Sequence, residues 1–263
     1  MSFVAPKGVL GELCERARER VAKARPVPLL PPTSPREPSL FHGALLQRGR
    51  FPLICEVKRA SPSAGMLRAG LEVDAQARVY EAAGAAAVSV LTEPTRFLGS
   101  LADLGRVRDA VDVPLLRKDF VVDPFMVDEA HAYGADAVLL IAAAIPPETL
   151  LACAERADVL GLDCLLELIY PRDLDVLSLR EWPIVGINAR DLETLEMNPG
   201  RFRELVAETR ARAPGALLVA ESGLGSSSAV KSVRGDGAQA ALIGEALLKA
   251  ERPHALITAW SQE

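Results

Sequence analysis

Residues 134–168 read GADAVLLIAAAIPPETLLACAERADVLGLDCLLEL. Two short apolar runs, 137–141 and 163–168, flank a segment of helical periodicity at 147–156. A run that is apolar throughout predicts a strand buried on both faces, and the intervening helical segment predicts a parallel crossover that covers one of those faces. The Gly134-Ala-Asp turn just before the first run suits a helix ending in a left-handed residue.

The same unit recurs along the chain. Apolar runs fall at 53–58, 86–92, 114–119, 137–141, 163–168, 184–188, 217–222 and 240–244, with helical segments such as 74–83, 125–133 and 201–212 between them. Related turns at Gly84-Ala85 and Gly237-Ala238 precede two more of the runs. Eight such units predict an α/β fold, a closed (β/α)8 barrel rather than an open sheet. No G-x-G-x-x-G follows the first run, which weighs against dinucleotide binding. The chain length of 263 residues suits one barrel domain.

Residues 1–50 differ in character. Leu13, Ala17 and Val21 recur at helical spacing within 10–24, and Pro26, Pro28, Pro31, Pro32, Pro35 and Pro38 predict an extended connector after them. The pattern alone allows a linker or a helix folded back on residues 51–263.

Composition excludes several classes. No apolar stretch approaches the ~20 residues that span a bilayer, and no signal segment opens the chain, so a cytoplasmic protein without membrane attachment is expected. A net charge of −5 argues against nonspecific nucleic-acid binding. Cys14, Cys55, Cys153 and Cys164 and the three histidines are scattered, so neither a metal site nor a disulfide framework is expected. Cys55 and Cys164 read as small buried thiols.

Function should gather where the strands end. Glu56 and Lys58 lie two apart on the first run and therefore share a side. Lys118 ends the third run, Glu167 lies in the fifth, Asn188 ends the sixth and Glu221 lies near the end of the seventh. Any one of these could belong to a buried ion-pair network, but six converging on one mouth predict a catalytic site. Only six of the 30 basic residues are lysines, and two of them stand at strand ends. Burial or a neighbouring cation could lower the pKa of such an amine, whereas an arginine stays charged.

The loops after the seventh and eighth runs carry Ser222-Gly223-Leu-Gly225 and Gly244-Glu245. In many barrels these loops bind phosphate through backbone N–H groups. Lys58, Arg59 and Ser61 could add positive charge and a hydroxyl donor. Phe97 and Phe120 fall in loops on the same face, where an aromatic ring could pack. Together these residues predict acid–base chemistry on a phosphorylated, partly aromatic small molecule, with no cofactor, no metal and no obligate protein partner.

The sequence resembles the indole-3-glycerol phosphate synthase family. The matching stretches include Ile54-Cys-Glu-Val-Lys-Arg-Ala-Ser-Pro-Ser63, Ser89-Val-Leu-Thr-Glu93, Leu116-Arg-Lys-Asp-Phe120 and Gly186-Ile-Asn-Ala-Arg-Asp-Leu192. Glu221-Ser-Gly223 and Leu242-Ile-Gly-Glu-Ala246 follow in the same chain order. The resemblance implies a TIM barrel with an N-terminal helical extension, and a tryptophan-pathway lyase. Its substrate would be 1-(2-carboxyphenylamino)-1-deoxyribulose 5-phosphate. It implies Lys118 as general acid and Glu167 as general base, Lys58 assisting, and Glu56, Asn188 and Glu221 orienting these groups. Ser61, Ser222, Gly223, Gly244 and Glu245 match phosphate-binding positions. Phe97, Phe120, Leu139 and Leu192 would hold the anthranilate ring, with Arg190 near its carboxylate. It also implies that residues 1–50 pack over the barrel as part of one domain.

Leu168-Ile169, Met126 and Ala189 depart from residues common in the family, and none is an assigned catalytic group. Phosphoribosylanthranilate isomerase is the nearest rival, but Lys118 has no role in its chemistry. A Schiff-base aldolase acting through Lys118 or Lys58 is another, and a catalytically dead barrel used for binding is a third.

Overall fold

The computed structural model describes residues 3–25, 28–30, 37–47 and 49–262. Each of the eight apolar runs forms a strand: β1 Leu53–Val57, β2 Ala87–Leu91, β3 Leu115–Lys118, β4 Ala137–Ile141, β5 Asp163–Leu168, β6 Ile184–Asn188, β7 Leu217–Glu221 and β8 Ala240–Ile243. All pair in parallel with their neighbours, and β1 pairs with both β2 and β8, which closes the barrel. Glycines at 84, 134 and 237 take positive φ angles of 88°, 79° and 107°, so the turns before β2, β4 and β8 use the left-handed conformation that glycine adopts without strain.

The outer layer contains α3 Val73–Ala82, α4 Leu101–Arg108, α5 Pro124–Ala132, α6 Pro147–Leu160, α7 Arg201–Arg212 and α8 Ser227–Gly235. Two short helices, Glu245–Lys249 and Pro253–Trp260, complete the chain. Between β5 and β6 the covering segment is a 3₁₀ helix, Pro171–Ser178. Several helix starts are written in the sequence. Asp123 accepts a hydrogen bond from Phe125 N at 2.9 Å with Pro124 as the first helical residue, and the Ser100 and Ser226 side chains cap α4 and α8.

Before the barrel come α1, Gly8–Ala24, and the short α2, Leu40–Leu45. Helix α1 buries Leu10, Leu13, Cys14, Ala17 and Val21, the i, i+3, i+4, i+7 stripe of an amphipathic helix. Pro28 and Pro38 lie outside helices, while Pro26, Pro31, Pro32 and Pro35 fall outside the described residues. Among the described residues no helix is long and apolar enough to cross a membrane. Cys14, Cys55 and Cys153 are buried, whereas Cys164 is only partly so.

Candidate active site

Parity along the strands decides which side chains enter the barrel. On β3, Lys118 turns inward and Arg117 turns outward to α5, as successive residues of a strand must. The inward set, Glu56 on β1 and Lys58 just after it, Lys118, Glu167, Asn188 and Glu221, lines one cavity of about 850 Å³ at the C-terminal ends of the strands. The ten expected binding positions line it too: Ser61, Phe97, Phe120, Leu139, Arg190, Leu192, Ser222, Gly223, Gly244 and Glu245. Its size is that of a small-molecule site.

At its centre, Lys118 Nζ lies 3.2 Å from Glu167 Oε2 and 3.2 Å from Glu221 Oε2. Lys58 Nζ lies 2.5 Å from Glu56 Oε1. Glu167 is wholly buried, and the second oxygens of both Glu167 and Glu221 have no hydrogen-bond partner. Unpartnered buried carboxylate oxygens are costly, and both belong to residues that line the cavity.

The electrostatics differ from the sequence expectation. Burial would lower the Lys118 ammonium pKa, but the carboxylates of Glu221, Glu167 and Glu56 outweigh it and drive the pKa well above the ordinary lysine range. Lys118 is therefore a firmly protonated acid, and the idea of a lysine shifted toward neutral does not hold at this position. Glu221 moves upward to about 8, because burial and the facing Glu167 carboxylate together exceed the pull of Lys118. One ammonium shared by crowded carboxylates leaves the cluster ready to hold an extra proton near neutral pH.

The rim divides into a polar end and an apolar end. Ser222 and Gly223 follow β7 with φ of 66° and 73°. A serine held in the left-handed region is a local cost that persists only where surrounding structure imposes it. The N-terminus of α8 adds Ser226 and Ser227 to the same wall. Those two serines were missed in the sequence, although Gly225-Ser226 before a helix is a capping signature. At the apolar end the Phe97 and Phe120 rings stand 6.1 Å apart at 41°. Arg190 is fixed by donating from Nη1 to the Leu195 carbonyl at 3.1 Å, and its N–H donates to Asn188 Oδ1 at 2.9 Å.

Arg59 does not join the mouth. Its guanidinium donates to both Asp103 oxygens at 2.6 and 2.8 Å and to the Leu98 carbonyl at 3.0 Å, tying the loop after β1 to α4. Helix α1 contributes what pattern alone could not assign: Val9 and Leu13 line the cavity. Arg20 donates to Asp119 Oδ1 at 2.7 Å and lies 3.6 Å from Glu93, while Val9 N donates to the Glu193 carbonyl at 3.2 Å. Glu93 in turn accepts from the N–H groups of Thr95, Arg96 and Phe97 and so shapes the loop that presents Phe97.

Comparison with known proteins identifies the family. The family model described as indole-3-glycerol phosphate synthase matches residues 10–259. The chain is 40% identical to indole-3-glycerol phosphate synthase 1 of Streptomyces coelicolor over 260 residues, covering 95% of this chain and 91% of that one. It is 43% identical to the indole-3-glycerol phosphate synthase of Geobacillus kaustophilus over 248 residues, 92% of each, and 44% identical to that of Rhodopirellula baltica over 209 residues, 80% of each. Among solved structures, thiamine phosphate pyrophosphorylase from Pyrococcus furiosus superposes with a TM-score of 0.57 at 17% identity, covering 80% of this chain and 93% of that one. That likeness speaks to the barrel alone.

Proposed function

The chain belongs to the indole-3-glycerol phosphate synthase family, and from that premise we propose how its residues divide the reaction. The protein is a carboxy-lyase of tryptophan biosynthesis. It closes the indole ring of 1-(2-carboxyphenylamino)-1-deoxyribulose 5-phosphate, with loss of carbon dioxide and water, to give indole-3-glycerol phosphate.

In the proposal Lys118 is the general acid. Its ammonium donates first a hydrogen bond and then a proton to the ketone oxygen as the aromatic ring carbon attacks. Ring closure makes a cationic intermediate, and the carboxylates of Glu167 and Glu56 stabilise it by charge. Decarboxylation restores aromaticity, Glu167 serves as general base, and Lys58, paired with Glu56, assists proton delivery to the leaving hydroxyl. Asn188 and Glu221 orient the acid and base. The phosphate is held by Ser61, by Ser222 and Gly223, and by backbone N–H groups at Gly244 and Glu245. Phe97, Phe120, Leu139 and Leu192 clasp the anthranilate ring, and Arg190 meets its carboxylate.

One observation carries the assignment: Lys118 bridges Glu167 and Glu221 at 3.2 Å each while both carboxylates keep an unpartnered oxygen. Residues 1–50 belong, in this reading, to the same unit as the barrel, and α1 covers its mouth, a role supported by Arg20 and by the cavity-lining Val9 and Leu13, while the His42 N–H of α2 donates to Asp163 at the opposite, N-terminal end of β5 at 2.8 Å. A cytoplasmic setting without an obligate protein partner completes the proposal, and four free cysteines suit a reducing compartment.

Borohydride trapping in the presence of substrate tests the acid role. A Schiff base needs a neutral amine, so a firmly protonated Lys118 predicts no adduct. A stable lysine adduct at position 118 would overturn the assignment.

A further inference from the structure

Gly186 occupies the middle of β6, where a glycine weakens a strand and needs a reason. Its φ is not in the positive range, so the backbone would accept any residue. It shares the inward face with Asn188, which is paired in register with Glu221 on β7. A methyl group at Gly186 would overlap Glu221 Oε1 and stand 3.1 Å from Glu221 Cδ and 3.4 Å from Leu165 Cδ1. No backbone atom obstructs it among its three nearest neighbours.

We propose that Gly186 is a positioning residue for the reaction: its missing side chain forms the recess in which the Glu221 carboxylate rests, and so sets that carboxylate against Lys118. The inference rests on the role given to Glu221 above. It explains why Glu221 Oε1 is buried without a partner while Oε2 reaches Lys118 at 3.2 Å. The oxygen is seated by shape rather than by a donor. Because the obstructing atom is the tip of a side chain, a methyl group at 186 displaces the carboxylate and leaves the strand in place. A second glycine, Gly244 just after β8, also yields space to a carboxylate: a methyl group there would overlap Glu56 Oε1 and stand 3.1 Å from Glu56 Cδ, although that oxygen is paired with Lys58. Gly244 also offers its N–H to the phosphate in the proposed reaction, so Gly186 gives the cleaner test.

The test is a cycle of Gly186→Ala with Glu221→Asp and Glu221→Ala, reading kcat, KM and thermal midpoint. Gly186→Ala is expected to lower kcat at least about tenfold with little change in KM. Aspartate is shorter by one methylene and fits above the new methyl group. The Gly186→Ala/Glu221→Asp pair should therefore exceed the product of the single effects by about tenfold or more. In the Glu221→Ala background, Gly186→Ala should no longer lower the midpoint. Parental kcat in folded Gly186→Ala, or strictly additive effects in the cycle, would overturn the inference. Should Gly186→Ala alone fail to accumulate, soluble Gly186→Ala/Glu221→Ala supports the recess, and failure of that variant too contradicts it. Glu221→Gln is measured beside them: parental turnover there refutes the role given to Glu221, whatever the cycle shows.

Discussion

Arg117 and Lys118 are adjacent on one strand, both in charged clusters, and the clusters are built to opposite rules. Arg117, 2% exposed, donates to Thr92 Oγ1, the Met126 carbonyl, Glu129 and Asp119 at 2.5–3.2 Å, and no buried polar atom of Arg117, Asp119 or Glu129 lacks a partner. Lys118 faces carboxylates whose second oxygens are unpartnered. The outward cluster is closed and locks β3 to α5. The inward one is left incomplete, its two carboxylates each short of a donor. Charge burial alone does not mark a functional site; the unsatisfied remainder does.

The largest effect expected from breaking this contrast is on the closed side. Arg117→Ala leaves Glu129 uncompensated and strips Asp119 of one of its two arginines, and should destabilise the fold by ~3–5 kcal/mol in denaturant titration. On the open side, Glu167→Gln should keep a cooperative thermal transition while turnover falls at least ~100-fold, a barrier increase of ~2.7 kcal/mol. Steady-state kinetics at saturating substrate check it.

The two clusters should also answer pH with opposite signs. Arg117 and Arg20 overcome the burial penalty and hold the Asp119 carboxyl below its usual range, so its contribution is present above the ordinary 3.8 and fades as pH falls through the lowered value. Glu221 stands at about 8 against an ordinary 4.5, so the folded protein holds its proton more tightly and stability declines as pH rises through that window. Glu221→Gln should therefore gain stability relative to the parent at pH 8 and lose most of that advantage at pH 5, as measured by unfolding at both pH values. The smallest effect belongs to the clasp between α1 and the mouth. Arg20→Ala should cost about 1 kcal/mol of stability and raise KM more than it lowers kcat, because the cavity wall formed by Val9 and Leu13 loosens.

Much of this contrast was legible in the residues. Apolar runs with polar ends located all eight strands, and parity sent Glu56, Lys58, Lys118, Glu167, Asn188 and Glu221 to one side. The direction of the Lys118 shift was not legible, since it depends on three carboxylates from three other strands, each distant in the chain. Arg59 misled for a related reason: its partner Asp103 lies on a helix 44 positions away. Gly186 carried no signal of its own, because the volume it yields is claimed by a side chain from the adjacent strand. Helix α1 was legible as a helix, yet its seat was not, for a single amphipathic stripe does not say which surface it covers.

The account turns on Lys118 as the acid of an open cluster. Purified parent and Lys118→Ala proteins, incubated with 1-(2-carboxyphenylamino)-1-deoxyribulose 5-phosphate and followed by indole fluorescence, test it most directly. The parent should form indole-3-glycerol phosphate, and the variant, still unfolding cooperatively, should turn over at least ~100-fold more slowly. Near-parental turnover by Lys118→Ala would contradict the account.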